Sequence, residues 1–264
     1  EGTSRRRVMP NPTPPDHGID IREEAGVRYL HFGSSWVQGA MRIARPWALE
    51  LAYTREMMVC LLFHSSQDWP RNALLIGLGA ASLLRFLYRH LPQCRMTVVE
   101  IHPGVVAVAR QFFKLPEDPE RLRTIVGDGA DIVSDHHDRY DLILIDGFDA
   151  QARSGRLNSH SFYADCRQNL ADEGILVCNL LGRNRGFQAS VDRLRSAFDG
   201  RAIVFPSCDS GNAIAFASPT PLSIPLDDLR ERAQNLKTAT GLNLGPCISR
   251  LQLTQSLLGN CLRL

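Results

Sequence analysis

The chain has 264 residues, 44% hydrophobic and 22% charged, a balance that suits one large globular domain or one main domain with a small appendage. Thirty basic residues against 28 acidic ones leave a formal charge of only +2, so nothing in the balance points to nucleic acid as a partner. No apolar run approaches the roughly 20 residues that span a bilayer, and residues 1–18 lack the apolar core of a signal peptide, so no membrane partner is expected. Seven cysteines, an odd number with no C-x-x-C pair, argue against a disulfide or zinc framework. Cys60 and Cys178 lie inside apolar runs, where cysteine behaves as a small hydrophobe. A reducing, cytoplasmic location and no metal site are therefore expected.

Residues 1–18 hold Arg5, Arg6, Arg7 and four prolines without a hydrophobic period, and read as a disordered, solvated tail. From residue 19 to about residue 45 the pattern is strand-like. VRYLHF alternates, Gly33-Ser34-Ser35 makes a turn, and WVQGAMRI returns. Pro46 then opens a helix predicted over residues 47 to about 64, with Leu49, Ala52, Tyr53, Met57 and Leu61 at helical spacing. Residues 19–70 are thus expected to form a small N-terminal β element plus a linking helix.

Residues 71–264 change character. ALLIGLG, MTVVEI, LRTIVGD, YDLILID and GILVCNLL are short apolar runs, and helical patterns separate them, at residues 81–90, 103–113 and about 157–170 among others. Such alternation predicts an α/β fold with a mostly parallel sheet covered by helices on both faces. RAIVF and NAIAFAS read as two further strands at an antiparallel edge. Residues 225–240 read as one more amphipathic helix, and the last twenty carry no decisive pattern.

Open α/β sheets bind ligands at the carboxyl ends of their strands. The first strand of this sheet ends in Gly77-Leu78-Gly79, the second in Glu100, the third in Gly127-Asp128-Gly129, the fourth in Asp146 with Asp149 three residues on. Gly77 and Gly79 allow a tight turn close to a ligand, although Ser82 replaces the third glycine of the dinucleotide pattern G-x-G-x-x-G. Glu100 lies 23 residues after Gly77, where a carboxylate can accept from both ribose hydroxyls or cap the next helix. Asp128 can accept from an adenine amine, cap the helix after it, or do both. With no phosphate-binding lysine, the set favours an adenosyl ligand such as S-adenosylmethionine over NAD. Asp146 and Asp149 can act as a base or hold a cationic amine. His160 has serine neighbours but no G-x-S-x-G elbow, which argues against a serine hydrolase.

Taken together, Trp36-Val37-Gln38, Tyr53 to Met58, Leu75 to Gly79, Val98 to Pro103, Gly127 to Gly129, Asp141 to Asp149 and Leu157…Phe162-Tyr163 resemble the spermidine synthases (polyamine aminopropyltransferases) of the bacterial spermidine-synthase-like branch. The resemblance runs from about Tyr29 to Pro219. It implies a Rossmann-like methyltransferase fold with a seven-stranded sheet, a small N-terminal β domain, and a homodimer. It further implies transfer of an aminopropyl group from decarboxylated S-adenosylmethionine, a co-substrate rather than a resident cofactor, to an amine such as putrescine. Carried over by motif, Glu100 would hold the ribose and Asp128, beside Gly129, the adenine. Gln38 would line the nucleoside site, Asp146 would take the amine proton, and Asp149 would help hold the amine. Tyr53 stands one position off the family's Tyr-x-Glu-Met spacing. Two further departures stand out. Ala80 occupies the aspartate position of the family's G-G-G-D-G-G, and D-G-F-D-A replaces D-S-x-D-P. They keep two other readings in view: a methyltransferase using intact S-adenosylmethionine on an amine, and a non-catalytic nucleoside-binding relative.

Overall fold

The computed structural model describes residues 18–148, 153–182, 185–206, 211–253 and 257–264. The tail expected over residues 1–18 lies, Gly18 apart, outside them. The first ordered elements form an antiparallel meander of β1 (Ile19–Glu24), β2 (Val27–Phe32) and β3 (Val37–Arg42). Ala25 and Gly26, both at positive φ, make the two-residue turn between β1 and β2, the handedness that matches strand twist.

The linking helix is shorter than its pattern. Residues 52–57 form α1 (Ala52–Met57), which tightens into a 3-10 segment at Met58–Leu62, while residues 46–51 are turn, bend and irregular backbone. A cause is visible in the hydrogen bonds. The carbonyls of Leu49 and Glu50 accept from the Arg55 guanidinium, and that of Pro46 from Arg85, so side chains take acceptors that a helix would give to amides one turn on.

The central sheet contains β4 (Asn72–Ile76), β5 (Arg95–Glu100), β6 (Leu122–Val126), β7 (Tyr140–Ile145), β8 (Leu170–Leu181), β9 (Ala202–Pro206) and β10 (Asn212–Ala217). Its order is β6-β5-β4-β7-β8-β10-β9, with β10 antiparallel to both neighbours. The two predicted late strands are therefore present, and β9 is the edge. Between the strands lie α2 (Ser82–His90), α3 (Pro103–Phe112), α4 (Gly129–Asp135), α5 (His160–Gln168) and α6 (Phe187–Ala197). The pattern placed the start of α5 at residue 157, but residues 155–158 form a 3-10 turn and Ser159 caps the helix by accepting from the Phe162 amide. Both sheet faces are buried. Along β4, Ala73 and Leu75 face α2 and α3, whereas Leu74 and Ile76 face α4 and α5.

The C-terminal residues pack on the α2–α3 side. There β11 (Ser223–Pro225), α7 (Leu226–Thr240), α8 (Gly245–Leu253), β12 (Leu257–Leu258) and β13 (Cys261–Arg263) join the core shared with Met57, Val59 and Leu62. Arg232 donates to the Leu62 carbonyl at 3.0 Å, and Arg250 meets the buried Glu56 carboxylate at 2.6 Å.

One arginine ties three segments together. The buried Arg85 of α2 donates to the carbonyls of Pro46 before α1, Ala80 in the glycine loop and Phe113 after α3. Arg85→Leu removes charged donors from three carbonyls at once, so it is expected to cost about 3 kcal/mol or more. Urea denaturation measures this, and a loss below about 1 kcal/mol would contradict the role.

Candidate active site

A cavity of about 690 Å³ opens over the carboxyl ends of β4, β5, β6 and β7, with β3 along one side. It sits where the chain order reverses, since β5 and β7 flank β4 on opposite sides. The loop after β4 carries three left-handed residues, Gly77 (φ 94°), Gly79 (φ 50°) and Ala81 (φ 57°). At Gly77 a side chain is excluded twice, by the positive φ and because a Cβ would overlap the Asp146 carbonyl oxygen. Gly129 packs its bare Cα against Ile76, which brings the start of α4 down onto β4.

Glu100, at the tip of β5, is buried and holds the glycine loop in place. One carboxylate oxygen accepts from the Leu78 amide at 2.9 Å and the other from the His102 amide at 3.0 Å. Burial pushes its pKa up, and these amide bonds pull it back. Asp128 after β6 caps α4 by accepting from the Ala130 amide at 2.9 Å. Its other oxygen accepts from Arg156 at 2.7 Å, and Arg156 also reaches Asp131 at 2.7 Å.

Asp146 lies on the cavity floor with both oxygens engaged. Tyr53 of α1 donates its hydroxyl to Oδ2 at 3.0 Å, and Asn179 of β8 donates its amide to Oδ1 at 2.9 Å. Asn212, the first residue of β10, donates in turn to the Asn179 carbonyl oxygen at 2.9 Å. Burial raises the Asp146 pKa above the ordinary carboxylate range, against the lowering effect of Asn179 and Tyr53. The Tyr53 hydroxyl is held well above its ordinary pKa by burial and by the neighbouring carboxylate, so it is a donor here.

The cavity gathers Gln38, Tyr53, Gly77, Gly79, Glu100, Asp128, Gly129 and Asp146. Asp149 lies outside the described residues. Four other lining residues escaped the sequence reading. Asn179 left a faint signal, a single amide in the apolar run ILVCNLL. Asn212 left none, because its place depends on antiparallel register. Arg156 is one of many scattered arginines. Ile101, 59% exposed directly after Glu100, presents an apolar face to the cavity. At the mouth, the Trp36 and Phe148 rings meet edge to face with centroids 6.0 Å apart. The Ala80 methyl is buried with Leu30, Met41 and Phe113, in tight contact with Gly39 of β3. At this point of the loop the chain therefore presents a methyl group and no carboxylate.

Residues 50–181 match the spermine/spermidine synthase domain. The polyamine aminopropyltransferase of Chromobacterium violaceum is 37% identical over 251 residues, 95% of each chain. The chain belongs to the spermine/spermidine synthase family. Two solved structures share the fold of this family member at under 25% identity. Human methyltransferase-like protein 13 in complex with SAH has a TM-score of 0.65 at 23% identity, over 73% of this chain and 93% of that one. A spermidine synthase in complex with the transition-state analogue AdoDATO has a TM-score of 0.59 at 21% identity, over 76% and 74% respectively.

The Gly77 junction generates a direct expectation. Gly77→Ala is expected to cost about 2 kcal/mol or more, from left-handed strain plus the overlap with Asp146. Gly155, also at positive φ but with open space around its Cα, is the control, and Gly155→Ala should cost clearly less. Equal urea midpoints for the two variants would refute the close approach.

Proposed function

We propose that the protein is an aminopropyltransferase that moves an aminopropyl group from decarboxylated S-adenosylmethionine to an amine such as putrescine, with Asp146 as the base. The observation that carries this is a buried carboxylate, held by two donors, at one end of a cavity whose other end offers two carboxylates suited to adenosine. Family membership supports the same reaction.

At the nucleoside end, the Glu100 carboxylate spends part of its accepting capacity on backbone amides and keeps the rest for the ribose hydroxyls. Asp128 keeps capacity for the adenine amine, Gln38 lines the same end, and the exposed face of Ile101 offers apolar contact to the base. The glycine loop lets the ligand approach the backbone closely.

The reaction balances simply. An amine nitrogen attacks the carbon beside the sulfonium, a C–N bond forms, the C–S bond breaks, and its electron pair stays on sulfur. Neutral methylthioadenosine leaves; because the acceptor arrives as an ammonium, Asp146 first takes a proton from that nitrogen to free its lone pair, and later passes the proton to solvent. Donor and acceptor are both cations, so an acidic floor attracts them. The Tyr53 hydroxyl helps orient Asp146 towards the amine, and Asp149, by family resemblance, helps hold it. A cytoplasmic homodimer accompanies this reading. Among the described residues no helix is long and apolar enough to cross a membrane.

Ala80 bears on the donor. With a methyl group in place of the family's aspartate, the donor's amine loses one anionic anchor, and intact S-adenosylmethionine meets less repulsion. Calorimetric titration with each nucleoside separates the cases. Tighter binding of the decarboxylated form supports aminopropyl transfer, whereas preference for the intact form favours methyl transfer, and binding of neither favours a non-catalytic relative.

Asp146→Asn is expected to lower transfer at least about 100-fold while leaving nucleoside affinity within about two-fold. Unchanged turnover would eliminate Asp146 as base. The base must be ionised to accept a proton, and its pKa is raised, so activity should fall as the pH drops through a point above that of an ordinary aspartate. An acid limb at or below the ordinary aspartate range would contradict this.

A further inference from the structure

We infer that Asn179 and Asn212 form a two-step relay that fixes the orientation of the Asp146 carboxylate, with Asn212 acting through Asn179. The inference rests on the reading of Asp146 as the base, and both asparagines are positioning residues.

The sheet register places the relay. In the parallel pair β7–β8, Ile145 stands opposite Cys178, so Asp146 and Asn179 follow side by side. Strand β8 runs on to Leu181, past the tip of β7, and so carries an amide to the floor of the cavity. In the antiparallel pair β10–β8, Asn212 stands opposite Leu181. Residues two apart on a strand share a face, so Asn212 and Asn179 are diagonal neighbours on one face of the sheet. The hydrogen bonds at 2.9 Å and 2.9 Å complete the line from β10 to β7.

Each member has a distinct task. The terminal torsion of an aspartate is broad, so one donor does not fix the carboxylate plane. Tyr53 holds Oδ2 and Asn179 holds Oδ1, and together they do. The amide of Asn179 could equally turn over and present its oxygen to Asp146, which would set two acceptors against each other. The Asn212 donor occupies that oxygen and makes the productive orientation the favoured one. Asn179 is buried, so a turned amide would find no water to compensate it. Three strands thus combine to aim the remaining Asp146 lone pairs into the cavity.

The test follows the charge on Asp146 without relying on turnover. Protein labelled with 13C at aspartate carboxyls is titrated by NMR, and the Asp146 signal is assigned by its loss in Asp146→Asn. Among the described residues, the other titratable groups facing Asp146 are Tyr53 from α1 and Cys178 from β8. Burial holds both up, the thiol at about 12, so they stay neutral through the range. Asn179→Leu is expected to raise the Asp146 midpoint by about one pH unit, since the charged form loses a donor. Asn212→Leu and the milder Asn212→Ala are expected to raise it less, in the same direction. In the Asn179→Leu background, Asn212→Leu should add nothing. In turnover, kcat for Asn179→Leu should fall about ten-fold at neutral pH with its acid limb displaced upward, while nucleoside affinity holds. Additive midpoints in the double variant, or Asn212 variants that lower only the melting temperature, would overturn the relay. A wild-type protein that transfers no aminopropyl group would instead refute the proposed reaction, and the titration would still decide the relay.

Discussion

Everything in the cavity is referenced to the place where the tips of β4 and β7 come together. Gly77 makes this possible, because any side chain there would run into the Asp146 backbone. The Asp146 amide donates to the Ile76 carbonyl and the Gly77 amide to the Val99 carbonyl, both at 2.9 Å, so three strand ends are laced across one glycine. Asp146, the glycine loop and Glu100 thus share one rigid frame. A reaction that needs an amine in line with a carbon–sulfur bond depends on such a frame, because misplacement by about an ångström forfeits much of the rate gained from orientation.

The meander and the linking segment complete that frame from outside the sheet. Gly39 of β3 lies against Ala80, the Ser82 hydroxyl donates to the Ala40 carbonyl at 3.0 Å, and Arg85 gathers carbonyls from three segments. These contacts bring Gln38 and Tyr53 to a site that the large sheet alone would leave open. The C-terminal residues work on the far side. They bury Met57, Val59 and Leu62 beside α1, which supports the helix that carries Tyr53, and among the described residues none of them lines the cavity.

The charges are arranged with the same economy. The hydrogen-bond donors to Glu100 are backbone amides, and those to Asp146 are a phenol and a carboxamide. Asp128, nearer the rim, is the one carboxylate of the described cavity shown paired with an arginine. Burial pushes Asp146 and Glu100 up, and the donors pull them back. For Asp146, that balance suits the proposed role of base, ionised when the amine arrives and able to take its proton.

Much of this was legible in the chain itself. Apolar runs of strand length, each ending in glycine or an acid, placed Gly77, Glu100, Asp128 and Asp146 at the tips of four successive parallel strands. Period and turn chemistry are local properties, and a strand end is readable from a few residues. The helical period of residues 47–64 was misleading. Arg55 and Arg85 take its first carbonyls, and the competing donors come from α1, five and six residues on, and from α2, 39 residues away. The partners of Asp146 were equally out of reach. Tyr53 lies 93 residues before it, and Asn179 lies 33 residues after it. Asn212 reaches Asn179 only because β10 runs antiparallel between β8 and β9. Which residues carry charge, and on which strand tip each one stands, follows from local pattern along the chain. Which donors meet each carboxylate follows instead from long-range register and from packing between distant segments, and no local pattern encodes those partners.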